Sequence, residues 1–514
     1  MNKRKSILII TILVLFSVLQ PLFRYYFEVN NEDEKRDDIA VDAGIDEIPE
    51  DNMVDSSFES HLPLVVIDIG DEDIPQAYRY DEDKEVVVPI EGVDPFVNGS
   101  VYLCDGKAVN KVSDEPTAFS KMHIKYRGNS SLFYDKKQYK IELLNDDGSK
   151  KDLDFLGMGA DSDWILNISM ADKSLLRNYI AYKVAGEIDD YTPDAEYCEV
   201  LIKKGDKYEY EGLYLLCESI KAAKNRVELS DYNKDGISPF LVKRDRYDEE
   251  AVTLDTWATE KGLTYGYLSL LYPKEKDWDK DTVANIEKSI SNAEKAIYSS
   301  DGKYGQVIDT ASFVDYFLIN EYFGNYDAGN NSTYMYSNLD GKLHIGPVWD
   351  FDGGMDNELD KLANVEKIAF QDRTLFDGLT KNHSFDEALS KRYRELRNNV
   401  LNEEHIYKLI DDTVKYIGKA QQRDWSRWSE AYESYELKDA KDEYGILISR
   451  NGYTYEEEVQ KVKDFISEHS FAMKKELDKL CTDNDKGFQY GRNGIWAILF
   501  LVSFLSSIVI VRRK

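Results

Sequence analysis

Asp327, Asp350 and Asp352, with Asn330 and Asn331 beside the first, are the residues whose types and spacing could do chemistry. Asp350 and Asp352 form an Asp-x-Asp pair. In an extended chain alternate residues share a face, so their carboxylates would lie about 7 Å apart on one side. Gly353 and Gly354 follow and free the backbone. Carboxylates that converge repel one another unless a positive charge sits among them. A hard divalent cation is the usual answer, and carboxylate and carboxamide oxygens suit Mg²⁺ or Mn²⁺.

The elements around these acids predict that they meet. Ser312–Phe323 carries Phe313, Phe317, Leu318 and Tyr322 at helical spacing, which predicts a helix with one apolar face. Gly324 supplies the stop. A polar loop, Asn325–Asn331, holds Asp327. Two strand-like runs follow, Ser332–Ser337 and Lys342–Trp349, and Asp340-Gly341 between them signals a hairpin. The first strand starts where the second ends, so the Asp327 loop and the Asp350-Phe351-Asp352 exit share a sheet edge. Taken singly, each aspartate could be a strand-end residue bonded to its own backbone. The independent helix, turn and strand signals favour a shared site.

WDFDGGMDN after a GPV strand, with an aspartate loop one hairpin earlier, resembles the spore-coat protein H (CotH) kinase family. The likeness extends upstream through His123–Ser131, Lys136–Leu143, Asp172–Tyr182, Gly212–Ser219 and Leu241–Arg246, in the family's order, and covers about residues 62–480. It implies an atypical, secreted-type protein kinase using ATP and Mg²⁺ (or Mn²⁺) on Ser or Thr. On that likeness Asp327 is the catalytic-loop aspartate facing the incoming hydroxyl. Asp350 is the principal metal ligand, with Asp352 beside it, and Asn331 or Ser332 supplies a second ligand. The loop reads DAGNNS, a departure that leaves open which group does so.

The nucleotide's other contacts would come from the front of the domain. Lys121–Arg127 and Gln138–Leu144 read as strands joined by a GNSS loop, whose backbone N–H groups could approach phosphate. Arg127, Lys137, Lys140 and Lys243 are candidate phosphate contacts, and Glu218 is the expected ion-pair partner of Lys137 or Lys140. A solvated face of an alternating strand explains Lys140 and Glu142 equally well, and Lys243-Arg244 could simply end a strand.

A net charge of −32 argues against nucleic-acid binding, since phosphate backbones need basic surface. It suits a basic protein substrate rich in Ser and Lys, or solubility at a cell surface. Ser6–Phe23 is an apolar run after Lys3-Arg4-Lys5, and Ile495–Val511 another before Arg512-Arg513-Lys514. Each is near the minimum for crossing a bilayer. Their basic flanks predict both termini in the cytoplasm and the acidic body outside the cell. The first run could instead be a cleaved signal peptide, although no small-x-small cleavage site follows it.

The expected organisation is a membrane segment or signal anchor over 1–27 and an acidic disordered linker over 28–60. A kinase-like domain spans 61–485, helical from about 363, and a membrane helix spans 494–511. The fold class is α+β, an atypical kinase-like fold with a mixed, largely antiparallel sheet packed with helices. Four cysteines make no disulfide framework. Cys198 and Cys217 lie on the arms of a predicted hairpin, as two buried thiols or a bonded pair. Six scattered histidines form no zinc motif. Two function classes follow: a Mg-dependent protein Ser/Thr kinase acting on a surface, envelope or spore-coat protein, or a catalytically silent scaffold of the same shape. A carboxylate-pair glycan enzyme is a distant third.

Overall fold

The computed structural model describes residues 43–482, except 83–85, 233–237, 247–253, 255, 264–266, 279, 300–301 and 442–444. Seven apolar-rich runs become strands: β1 (Leu64–Asp68), β2 (Val97–Cys104), β3 (Ala118–Arg127), β4 (Gln138–Leu144), β5 (Asp163–Asn167), β6 (Ala195–Lys204) and β7 (Lys207–Glu218). Only β1 and β6 pair in parallel. The order β7-β5-β4-β3-β2-β1-β6 returns to β7, because β7 pairs with both β5 and β6. The sheet thus closes on itself, which leaves no row of unpaired edge groups along most of its length.

A second, four-stranded antiparallel sheet holds β8 (Phe240–Asp245), β9 (Tyr267–Tyr272), β10 (Thr333–Ser337) and β11 (Leu343–Ile345), in the order β9-β8-β10-β11. Helices fill the space around the sheets: α1 (Arg177–Gly186) between β5 and β6, α2 (Lys280–Ile297), α3 (Thr310–Tyr322), α4 (His383–Arg397), α5 (Glu403–Ile417), α6 (Lys419–Arg427) and α7 over 455–482. The fold is α+β, with a largely antiparallel sheet, as the sequence predicts.

The helix α3 begins two residues earlier than expected, because the Asp309 side chain accepts from Ser312 N–H at 2.8 Å and caps it. It is buried on nearly every side, not on one face: Val314, Tyr316, Ile319, Asn320 and Glu321 are covered together with the expected Phe313, Phe317, Leu318 and Tyr322. Phe313, Tyr316 and Phe317 pack on Phe370 and Phe376. Such a helix belongs to a core.

The acidic linker requires a correction. Residues 43–60 are folded onto the barrel. Met53–Val54 pair with Tyr208 and Glu209 of β7, and Ile48, Val54 and Phe58 bury themselves with Leu64, Val66 and Tyr210. Three apolar residues spaced through acidic sequence suffice to dock it. Arg423 of α6 fastens the segment by donating to the Ile45 carbonyl at 2.9 Å, while pairing with the fully buried Glu199. Next to it Asp424 accepts from Lys136 at 2.6 Å, so the first lysine of KKQYKIEL is structural.

Among the described residues no helix is long and apolar enough to cross a membrane. The runs 6–23 and 495–511, and linker residues 28–42, lie outside the described residues. All four cysteines are free thiols, and Cys198 stands opposite Tyr214, not Cys217.

Candidate active site

The acids meet where the exit of β11 passes the start of β10. The Asp327 loop follows α3. Asp327 accepts from the Asn331 amide at 2.7 Å, and its carbonyl accepts the Asn331 N–H at 3.0 Å. Ser332, next in line, donates its hydroxyl to Asp350 at 3.0 Å. Both Ser332 (φ +47°) and Asp350 (φ +66°) are left-handed. A non-glycine residue held there costs on the order of 1 kcal/mol or more, and such strain concentrates at functional sites.

That conformation corrects one expectation. β11 ends at Ile345, so Asp350 is not on a strand, and the turn at its φ separates Asp350 and Asp352 from a common face. Asp350 faces Asp327. Asp352 turns toward α1, where Asn178 donates to it. Burial and the charge of Asp327 push Asp350 above the usual carboxylate range, against the Ser332 hydroxyl and Lys243. Asp352 is pushed well above it by burial, then by Asp350 and Asp172, against Arg177 and Asn178.

The loop after Asp350 is held by α1. Asn178 accepts the Phe351 N–H at 2.7 Å, Arg177 donates to the carbonyls of Gly354 (3.0 Å) and Met355 (3.2 Å), and the Tyr182 hydroxyl accepts the Asp350 N–H at 3.3 Å. Tyr182 stacks on Trp349 with centroids 5.5 Å apart. Gly354 is required here, since a Cβ would lie 2.7 Å from the Phe323 carbonyl. This explains why the Asp172–Tyr182 motif accompanies WDFDGGMDN: one is the cradle of the other. Arg177, Asn178 and Tyr182 are missed by sequence reasoning, because nothing local says what they face.

Beside these acids stands β8. Lys243 pairs with Asp245, two residues on and so on the same strand face, and lies over the Tyr334 ring at 5.9 Å. Both Lys243 and Asp245 act on Asp350. Arg127, at the end of β3, lies over Trp349 at 5.4 Å and close enough to Lys243 to act on its charge. Asp245 is an acid the sequence reading passed over; the i, i+2 spacing from Lys243 could have found it.

Lys137, Lys140 and Glu218 are not part of this constellation. Lys137 donates to the Leu132 carbonyl at 2.9 Å. Lys140 pairs with Glu142 at 2.6 Å on the polar face of β4, whose other face carries buried Ile141 and Leu143. Glu218 pairs with buried Arg226, so the expected Lys–Glu218 bridge does not form. The register is the reason: Glu218 stands opposite Trp164, which stands opposite Ile141, so Glu218 shares the Ile141 face and Lys140 points to the other.

Among the described residues no three His, Cys, Asp or Glu are drawn together tightly enough to make a protein-only metal cage. The donor set still fits Mg²⁺, which is commonly held by one or two carboxylates plus waters and substrate phosphates. The uncompensated acids around Asp350 are where added positive charge would be most favoured.

The candidate site thus gathers Asp327, Asp350 and Asp352 beside Lys243 of the second sheet and Arg127 of the barrel. The family model for CotH kinase protein matches residues 124–472, and the chain belongs to that family. No curated protein matches the chain.

Proposed function

We propose that the chain is a membrane-anchored, Mg-dependent protein Ser/Thr kinase that transfers the ATP γ-phosphate to a surface, envelope or spore-coat protein. One observation carries the reading: the Asp327 loop and Asp350 meet across the hairpin, where Asn331 donates to Asp327 at 2.7 Å and the adjacent Ser332 donates to Asp350 at 3.0 Å. Asp350 and Asp352 would hold the cation, with an oxygen of Asn331 or Ser332. When bound, Mg²⁺ neutralises charge on the phosphate oxygens. Lys243 and Arg127 offer further donors to those oxygens. Asp327 orients the acceptor hydroxyl and takes its proton as the new O–P bond forms and ADP leaves with the bridging oxygen. An acidic body favours a basic, Ser/Lys-rich acceptor.

Calorimetry on the full chain tests this. ATP should bind with Mg²⁺ or Mn²⁺ and far more weakly without; equal affinity in both conditions refutes it. The membrane part of the proposal rests on the apolar runs 6–23 and 495–511 with their basic outer flanks. Protease added to intact cells should degrade the acidic body, and its protection would reverse the topology.

A second reading, a catalytically silent kinase-like scaffold for envelope or coat assembly, is favoured by the absence of a ready metal cage among the described residues. It is favoured also by the scarcity of ATP outside a cell. Phosphoryl transfer by the parent protein with labelled ATP, lost in Asp327→Asn, excludes it.

A further inference from the structure

His469 sits on α7, fully buried, and both ring nitrogens face only acceptors. Nε2 lies 2.9 Å from the Glu321 carboxylate and 2.9 Å from its carbonyl; Nδ1 lies 3.0 Å from the Val365 carbonyl. A neutral imidazole has one N–H and would set a lone pair against an oxygen at the other nitrogen. The charged ring, donating from both, is the only form that satisfies the site. Glu321 balances that charge, and its second oxygen accepts the N–H groups of Ala369 (3.0 Å) and Phe370 (2.6 Å).

The pair's position gives it meaning. Glu321 lies in the last turn of α3, and Gly324-Asn325-Tyr326-Asp327 follows directly. One turn before His469, Phe465 of α7 presses on Gly324: a Cβ there would lie 2.6 Å from its ring. Asn325 in turn donates to the Trp349 carbonyl at 3.3 Å, just ahead of Asp350. A single buried ion pair therefore ties α7, the 365–370 segment and α3 together at the root of both acidic loops.

We propose that the charged His469–Glu321 pair is a positioning device for Asp327, through which α7 sets the rate of phosphoryl transfer without touching nucleotide. This rests on the kinase reading above. Glu321 is the charged group facing His469 from α3; the 365–370 segment presents only a carbonyl, and α7 itself Phe465. Tyr326 and Tyr393 feel the Glu321 charge, and Arg397 and Glu403 lie beyond Tyr393. Burial disfavours the charged ring, but the Glu321 carboxylate and the two carbonyls outweigh it and raise the histidine above its ordinary value, so the brace's stabilisation is complete below about pH 6.5 and is lost as pH rises through the folded value.

The test compares the parent full chain with His469→Ala and Glu321→Gln. His469→Ala should lower kcat about 10- to 100-fold, the cost of a misplaced catalytic group, with KM for ATP within about twofold. Glu321→Gln keeps an oxygen for Ala369 and Phe370 and offers an N–H to a neutral ring. It should fold, and the alkaline fall in kcat expected of the parent should vanish. A parental alkaline limb that survives Glu321→Gln, or equal losses in kcat and ATP affinity in His469→Ala, overturns the proposal. If the parent transfers phosphate from no donor, the kinase reading fails separately. The brace is then read by NMR titration of the His469 ring and by hydrogen exchange. A parent ring still charged at pH 7, with faster exchange over residues 324–331 in His469→Ala, supports it; a ring neutral at pH 7 or unchanged exchange refutes it.

Discussion

Arg177→Met should unfold the active site and go far toward unfolding the chain. The guanidinium and the Asp172 carboxylate are 0% and 1% exposed, and the same guanidinium donates to the carbonyls of Gly354 and Met355. Methionine fills the space but leaves a buried carboxylate alone and two carbonyls without donors. Breaking one side of a buried pair costs about 3–5 kcal/mol, and the orphaned carbonyls push the expected loss to about 5 kcal/mol. Whole domains are stable by only about 5–15 kcal/mol. Most of that cost is the stranded charge, so Asp172→Asn added to Arg177→Met should recover about 2 kcal/mol. Asparagine has one acceptor oxygen, so it keeps the Ser174 N–H that reaches Oδ1 and gives up the Arg177 N–H that reaches Oδ2, which holds the recovery below the full cost of the charge. Equilibrium unfolding in urea, followed by tryptophan fluorescence with unchanged slope, measures both differences. A loss under about 1 kcal/mol for Arg177→Met, or a double variant less stable than the single one, would refute the cradle argument.

Asp350→Asn should abolish transfer, by about 10²-fold or more, yet raise the melting temperature at pH 7. A carboxyl whose folded value is raised opposes folding once ionised, and asparagine tolerates the left-handed backbone. Asp189 is pushed up to about 8 by burial, Asp315 and Asp190, so the folded state binds its proton more tightly than the unfolded chain. Stability should therefore rise as pH falls from about 8 toward 5, and Asp189→Asn should flatten that slope in calorimetric scans. Gly324→Ala combines φ +58° with a Cβ 2.6 Å from Phe465, and should cost on the order of 1–2 kcal/mol in urea midpoints; a neutral result would remove the contact between α7 and the Asp327 loop.

Local pattern alone determined the helix before Gly324, the hairpin after it and the meeting of Asp327 with Asp350, because a two-strand turn needs no distant partner. It determined β3, β4 and the β6–β7 hairpin of the barrel, since apolar runs and turn residues are written into those stretches. Closure of the barrel was not legible, because the pairing of β1 with β6 joins runs about 130 residues apart through backbone groups that every residue carries. The left-handed turn at Asp350 was not legible either: it is imposed by Ser332 and by Tyr182, 168 positions away. Side chains whose partners lie in other elements were misassigned for the same reason. Glu218 went to Arg226, Lys137 to the Leu132 carbonyl, and residues 43–60 to the barrel. Charge type survives in a sequence, but which opposite charge is nearest is a property of packing, and only the tertiary structure decides it.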